Sequence, residues 1–380
     1  MNHDYFKNQT IVVTGAAGTV GSELVDLLLR EHHPAEIRIL DNNESAVFLQ
    51  NERYGSSGRV TAFLGDVRDR DKLEQVFAGA HTVFHLAAHK HVYLAEYNSF
   101  DTVQTNIHGV QNVIHAAHRV CVARVLFTSS DKAVNPTSVM GTTKLLGEKL
   151  ITAANIVGSH GSTVLASVRF GNVLGSRGSV VPIFAKQLCE GQAMTITDKR
   201  MTRFIMSVSE AAALVIRAVM LARGGEVFIT KMPVVRITDL AQAMIELLAP
   251  CYGRNPADVK ISYIGSKPGE KLYEELMSDE ETHRSQELED MFVTLPAHRF
   301  MYKHVDHVYP HLVRAGVDRA YNSSSEERMS VPQIKDFLTS SGVLEDAMRP
   351  DTTDGRRSIE PPAQCSVPAS VPKAVDGVTP

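Results

Sequence analysis

Cysteine is scarce in this chain. The four present (Cys121, Cys189, Cys251 and Cys365) are far apart and form no CxxC pair. That argues against a disulfide framework or a zinc site and fits a reducing compartment. An excess of either charge is also missing: the formal net charge is -4 and the pI about 6.5. There is thus no electrostatic footprint for nucleic acid or an anionic membrane, although a small anionic ligand stays open because local lysines and arginines decide that. No apolar run approaches the length of a membrane span. The opening MNHDYFKNQT has no apolar h-region, so no signal peptide is expected and the expected location is the cytoplasm. No internal repeat is found.

What is present is ordinary globular composition, 43% hydrophobic and 22% charged over 380 residues, enough for a large core and for two or three domains. Ile11–Val13 reads as a strand that runs into Thr14-Gly15-Ala16-Ala17-Gly18-Thr19-Val20-Gly21 and then an amphipathic helix from Ser22 to about Arg30. Such glycines let the backbone turn tightly and approach a pyrophosphate placed on the helix N-terminus. A second strand, Ile37–Leu40, ends at Asp41, twenty positions after Gly21 (41 − 21). An acid there suits the ribose hydroxyls of NAD, and no arginine directly follows it to receive a 2′-phosphate, so NAD is favoured over NADP.

Strand and helix keep alternating. Val60–Leu64 is a strand, Lys72–Phe77 a helix, Thr82–Leu86 a strand ending in Ala87-Ala88, and about Asp101 to Arg119 a helix carrying Asn106. The alanines let a flat ring or ribose pass close by. Asp66 either accepts from an adenine amino group or caps the helix that follows. The pattern predicts an α/β fold with a parallel, doubly wound sheet covered on both faces.

The stretch Thr128 to Lys144, TSSDKAVNPTSVMGTTK, is the candidate catalytic bench. Ser129, Ser130, Asp131 and Lys132 follow a buried strand, and Pro136 opens a helical pattern with Met140 and Lys144 on one face. The bland alternative is a surface ion pair with a serine cap ahead of a helix, with Met140 as core packing. Val164–Phe170 is a further strand, after which alternation loosens into a smaller α/β lobe that covers the substrate. The expected boundaries are 1–170, 171–345 and a disordered tail at 346–380, where six prolines fall from Pro350 to Pro380 without hydrophobic periodicity. The spacing HxxxHxH at His85, His89 and His91 is open to metal binding, but no Cys or carboxylate completes it, so no metal is expected.

By these residues the chain resembles the extended short-chain dehydrogenase/reductases. TGAAGTVG, GDVRD, HLAAHKHV, Asn106 and the Met140/Lys144 pair sit where that superfamily's motifs sit. Within it, SSDKAVNPTSVMGTTK, VRFGNVLGSRGSVVP, MTRF and KPGEKLYEEL resemble the UDP-N-acetylglucosamine 4,6-dehydratases of the polysaccharide-biosynthesis group, over roughly Thr10 to Met277. One departure is plain: Met140 stands where the superfamily has the tyrosine of Tyr-x-x-x-Lys, and methionine takes no proton.

The resemblance implies a Rossmann sheet and tightly bound NAD that is regenerated each cycle. On one bound sugar, hydride leaves C4, water is lost across C5–C6, and hydride returns to C6. Lys132 is then the C5 base and Asp131 the acid at C6, while Asp131 or Ser130 (through water) is left to handle the C4 proton. For that, the pKa of Lys132 must be lowered, by desolvation or by nearby Lys90 and Lys144. Lys144 binds the nicotinamide ribose. Cofactor candidates are Gly15, Ala17, Gly18, Thr19, Val20, Gly21, Asp41, Asn42, Asp66, Val67, Ala87, Ala88 and Asn106. Lys90 is favoured as a substrate or phosphate contact with His91 beside it, the other histidines being local packing. Arg203 and Arg177 are the expected counter-charges to a diphosphate. Asn172, Ser179, Val180, Pro182 and Glu270 complete the substrate set. A homodimer or higher homo-oligomer is implied. The rival readings are a UDP-sugar 4-epimerase, a 5,6-dehydratase that stops before hydride return, and a non-catalytic NAD-binding protein.

Overall fold

The computed structural model describes residues 4–157, 163–176, 178–266 and 269–344. Arg177 and the tail at 346–380 lie outside the described residues. The chain divides into two units, Met1–Val173 with Thr202–Val234 and Ser266–Glu327, and Leu174–Met201 with Val235–Gly265 and Arg328–Pro380.

The first unit is built on a 10-stranded sheet. Its strands are β1 (Thr10–Thr14), β2 (Glu36–Asp41), β3 (Val60–Leu64), β4 (Thr82–His85), β5 (Arg124–Thr128), β6 (Val164–Arg169), β7 (Val227–Thr230), β8 (Ser285–Leu288), β9 (Met291–Thr294) and β10 (Leu312–Arg314), in the order β10-β8-β9-β7-β6-β5-β4-β1-β2-β3. From β3 across to β7 every pair is parallel. Its helices include α1 (Thr19–Leu27), α2 (Glu44–Tyr54), α3 (Arg70–Phe77), α4 (Gly109–Arg119), α5 (Val139–Val157) and α6 (Val208–Leu221).

The period of two along β1 explains the layering. Ile11 and Val13 join a core with Leu24 and Val25 of α1 and Ala211 and Val215 of α6. Val12 points the other way, to Leu73 and Phe77 of α3 and Val113 and Ala117 of α4. Both faces are therefore covered, as the unbroken apolar strands required, and the doubly wound α/β expectation is borne out.

Two differences from the sequence expectation have physical causes. The sheet continues past β7 as an antiparallel edge, β9, β8 and β10, in a region where no strand was expected. These segments are short, and β8 and β10 carry Gln286, Glu287 and Arg314, which blurs the alternation. Next, α5 begins at Val139 rather than at Pro136. Asn135 sits at φ 44, left-handed backbone that ends any helix, and Ser138 Oγ accepts from Gly141 N–H at 3.2 Å to start the new one. Among the described residues Cys121 and Cys189 are free thiols.

In the second unit, helix Ile237–Leu248 packs on helices Val180–Glu190 and Val331–Ser340, and Met194–Ile196 pairs in parallel with Ile261–Tyr263. Ser179, Val180 and Pro182 belong to this unit, at the start of Val180–Glu190.

Candidate active site

The first unit gathers most candidates along the C-terminal edge of its parallel strands, where ligands bind in open α/β sheets. The turn between β1 and α1 is tightly self-packed. Gly15 has φ +69, and a Cβ there would lie 2.6 Å from the Ala87 backbone nitrogen at the end of β4. A Cβ on Gly21 would lie 2.4 Å from the Gly15 carbonyl oxygen. These two glycines thus bind turn to helix and turn to strand. The first turn of α1 has no side-chain cap at Gly18 and no acidic residue, which leaves its N–H groups for an anion.

Asp41 ends β2 and reaches back to this turn. One carboxylate oxygen accepts from Ala17 N–H at 3.0 Å, the other from Asn43 N–H at 3.1 Å. Asn42 donates to Asp66 at 3.2 Å. Asp66 also receives Arg68 from its backbone N–H and twice from its guanidinium, and Arg68 foremost holds its carboxyl down at about 2. Asp66 caps no helix; Asp69 caps α3 by accepting from Lys72 N–H. Val67 is buried. These residues fit a dinucleotide: small residues at the turn, uncapped N–H groups, and an acid beside them.

Asn106, a cofactor candidate on the expected helical stretch, is engaged by protein partners. It is buried, accepts from His89 N–H at 2.8 Å and donates to His89 O at 3.0 Å and Thr143 Oγ1 at 3.0 Å. It therefore pins the loop after β4 to α5, and its amide is spent on protein. In that loop His89, Lys90 and His91 are exposed whereas His85 is wholly buried, so the HxxxHxH residues do not converge and only His85 is packing. Among the described residues no group of three or more His, Cys, Asp or Glu is placed to hold a metal ion.

The bench follows β5. Ser129 N–H donates to Val168 O at 2.7 Å and Asp131 N–H to Phe170 O at 3.2 Å, which laces the loop to the end of β6. Asp131–Ala133 form a single 3-10 turn capped by Ser130. Asp131 is 1% exposed, so the pair is no surface ion pair. Its Oδ1 accepts from Ser130 Oγ at 2.6 Å, Lys132 N–H at 2.9 Å and Lys132 Nζ at 3.0 Å. Lys132 Nζ also lies 3.4 Å from Glu274 Oε1, and Glu274 in turn lies 3.4 Å from Arg203 Nε.

Burial pushes the Lys132 ammonium down, but Asp131 and Glu274 together outweigh it and hold the group above its ordinary value. A lysine already tuned downward was expected; here it is a paired ammonium. Lys144 is the lysine that burial does lower, to about 8, against partial compensation from Glu148. Its Nζ donates to Thr128 O at 2.8 Å and sits 4.8 Å over the Phe127 ring. Met140, one turn earlier on α5, is 3% exposed and packs in the interior.

Of the substrate candidates, Arg203 is drawn inward. It donates to the carbonyls of Thr202 at 2.8 Å and Lys271 at 3.0 Å beside its ion pair with Glu274. Asn172 donates to Phe204 O at 3.2 Å, and Glu270 is exposed.

Two features escaped the sequence analysis. Glu274 is 3% exposed and closes the Lys132 cluster from the 269–277 segment, which docks on the bench through Lys271 to Val134 O at 2.8 Å and Asn135 to Glu275 at 3.0 Å. The second is a buried triad. Arg169 on β6 makes fork contacts with Glu148 on α5 (2.8 and 2.6 Å) and with Glu281 (both 2.8 Å). Arg169 and Glu274 lie inside motifs quoted for the resemblance, but no local spacing marks their partners, which are 21, 112 and 142 positions away by number (169 − 148, 281 − 169, 274 − 132).

The family model described as polysaccharide biosynthesis protein matches residues 11–296. The chain belongs to this family. Among curated relatives of this polysaccharide-biosynthesis chain, an uncharacterized membrane protein of Methanocaldococcus jannaschii is 50% identical over 293 residues, 77% of this chain and 87% of the relative. A UDP-N-acetylglucosamine 4,6-dehydratase (inverting) of Campylobacter jejuni is 38% identical over 302 residues, 79% of this chain and 87% of the relative. A UDP-glucose 4-epimerase of Rickettsia canadensis is 32% identical over 348 residues, 90% of this chain and 99% of the relative. The X-ray structure of Pen from Bacillus thuringiensis superposes with TM-score 0.81 at 38% identity, covering 88% of this chain and 98% of that one. The resemblance stated from the motifs is thereby borne out. Among the described residues no helix is long and apolar enough to cross a membrane.

Proposed function

We propose that the chain is a hydro-lyase that takes a UDP-N-acetylhexosamine, UDP-GlcNAc in the first instance, to the UDP-4-keto-6-deoxy sugar. The observation that carries this is the pair of buried Asp131 and half-buried Lys132 just after β5, with Lys144 Nζ on the Thr128 carbonyl at the end of the same strand, on a sheet whose first turn suits a dinucleotide. Bound NAD would supply the acceptor for hydride from C4 and its return at C6. The turn from Gly15 to Gly21, Asp41 and Lys144 would hold it. Lys132, once deprotonated, serves as the base at C5. Asp131 Oδ1 accepts from three donors, so an acid role at C6 would relay the proton that Lys132, 3.0 Å away, has taken from C5. Met140 supplies no proton, and Ser130, whose Oγ donates to Asp131 at 2.6 Å, would move one from the C4 hydroxyl through water.

The epimerase relative keeps a second reading open, because epimerisation also begins by oxidation at C4. The test is incubation with UDP-GlcNAc without added NAD, followed by mass spectrometry and NMR. The proposal expects loss of one water and a new C6 methyl group. Unchanged mass with an inverted C4 would establish an epimerase. Loss of water without the methyl would mean a 5,6-dehydratase. No turnover of any UDP-sugar would overturn the enzyme reading.

A further inference from the structure

We propose that Glu274 is the proton-holding residue of the Asp131–Lys132 couple: it takes the proton that Lys132 must lose before the amine can act as a base. This rests on the function proposed above. Two carboxylates flank the ammonium, and they are not equivalent. Asp131 Oδ1 accepts from Ser130 Oγ, from the Lys132 N–H and from Lys132 Nζ, all within 3.0 Å. The Glu274 carboxylate is placed differently. Among the described residues its Oε1 meets Lys132 and Arg203 at 3.4 Å, and its Oε2 is buried with no hydrogen-bond partner. A buried oxygen left without a donor is a place for a proton.

The rest of Glu274 is fixed. Its N–H donates to Ser323 Oγ at 2.9 Å and its carbonyl accepts from Ser323 N–H at 2.8 Å, so the carboxyl is presented to Lys132 by the backbone. The charged groups that face it are Asp131 and Lys132 from the bench, Arg203 from the Thr202–Met206 strand and Lys271 from its own segment. Burial foremost, and Asp131, raise the Glu274 carboxyl; Lys132, Arg203 and Lys271 lower it, and the net shift is upward, so its proton affinity exceeds that of an ordinary glutamate. The step is balanced: the Lys132 N–H bond breaks and a Glu274 O–H bond forms, giving a neutral amine and a neutral carboxylic acid. The amine then takes the proton from sugar C5. Because Glu274 acts through Lys132, it is a positioning residue and not a catalytic one.

The test is Glu274→Gln, which keeps the shape but takes no proton, with Glu274→Asp as the conservative variant and thermal unfolding as the check on folding. While the pair shares one proton, the fraction with neutral Lys132 does not change with pH, so wild-type kcat/KM should be flat through neutral pH. In Glu274→Gln the amine must lose its proton to solvent, so kcat/KM should fall about tenfold per pH unit toward acid. Glu274→Asp should restore the flat profile. A wild-type profile that itself rises with slope one, or a flat Glu274→Gln profile, overturns the inference.

A second measurement needs no turnover. In the protein labelled with 13C at glutamate carboxyls, with the Glu274 signal assigned from Glu274→Gln, the inference expects an alkaline step that disappears in Lys132→Met. A lone acidic step indifferent to Lys132→Met overturns it. If no UDP-sugar reacts, the kinetic arm counts against the proposed function, and the titration still judges the proton pairing.

Discussion

Lys132 lies between two carboxylates at 3.0 and 3.4 Å, and this both stabilises it and keeps it protonated. Its side chain is 27% exposed, so water screens part of the attraction. Replacing it removes a base and also leaves Asp131 and Glu274, 1% and 3% exposed, without the cation between them, with Arg203 still 3.4 Å from Glu274. Lys132→Ala should therefore lower kcat/KM on UDP-GlcNAc by roughly 10²–10⁴-fold and also lower the melting temperature. Steady-state kinetics beside near-UV circular dichroism checks this. Unchanged turnover by folded Lys132→Ala would remove Lys132 from the chemistry. The pair Asp131 and Lys132 was legible in the sequence because adjacent acid and base side chains after an apolar strand stand out. Glu274 was not, since the run Tyr273-Glu274-Glu275-Leu276 does not say which carboxylate turns inward.

Helix α5 holds the bench from behind. A Cβ on Gly141 would lie 2.3 Å from the Lys132 carbonyl oxygen, so only glycine lets the helix start against that turn. In an exposed helix Gly→Ala stabilises by about 1 kcal/mol; here Gly141→Ala should displace Lys132 and lower kcat/KM by at least tenfold, read by kinetics with the cofactor content held equal. Further along, Glu148 of α5 shares Arg169 with Glu281, whose carboxyl, though burial raises it, Arg169 holds down at about 2. Removing one partner of such a buried network leaves charge without compensation. Arg169→Met should cost about 3–5 kcal/mol in urea unfolding. The triple change Glu148→Leu, Arg169→Met and Glu281→Leu should recover much of that, because the desolvation cost leaves with the charges.

For the molecule as a whole, acid stability should be set by a histidine before the carboxylates. His85 is wholly buried at the end of β4, with Nδ1 2.7 Å from Thr14 Oγ1, and burial lowers it from 6.5 to about 3. Its folded value lies below its unfolded one, so its contribution is whole above pH 6.5 and is lost as pH falls toward 3. Glu281 follows the same sign from 4.5 to about 2. The unfolding free energy should thus decline already between pH 6.5 and 5, by up to about 1.4 kcal/mol per pH unit. His85→Gln should make that first decline shallower, with His81 and His118, half-buried and lowered in the same direction, supplying the remainder. Urea titrations at a series of pH values measure it. A wild type with no decline above pH 5 would refute the assignment. The sequence by itself determined the parallel half of the sheet and the turn from Gly15 to Gly21, because apolar periodicity and glycine placement are local properties written in consecutive residues. Only the tertiary structure decided that Asn106 serves a loop, that Arg203 faces Glu274 and that Lys132 is a paired ammonium. Those facts depend on which side chains meet across long sequence separations in a medium that excludes water, and no local pattern encodes that.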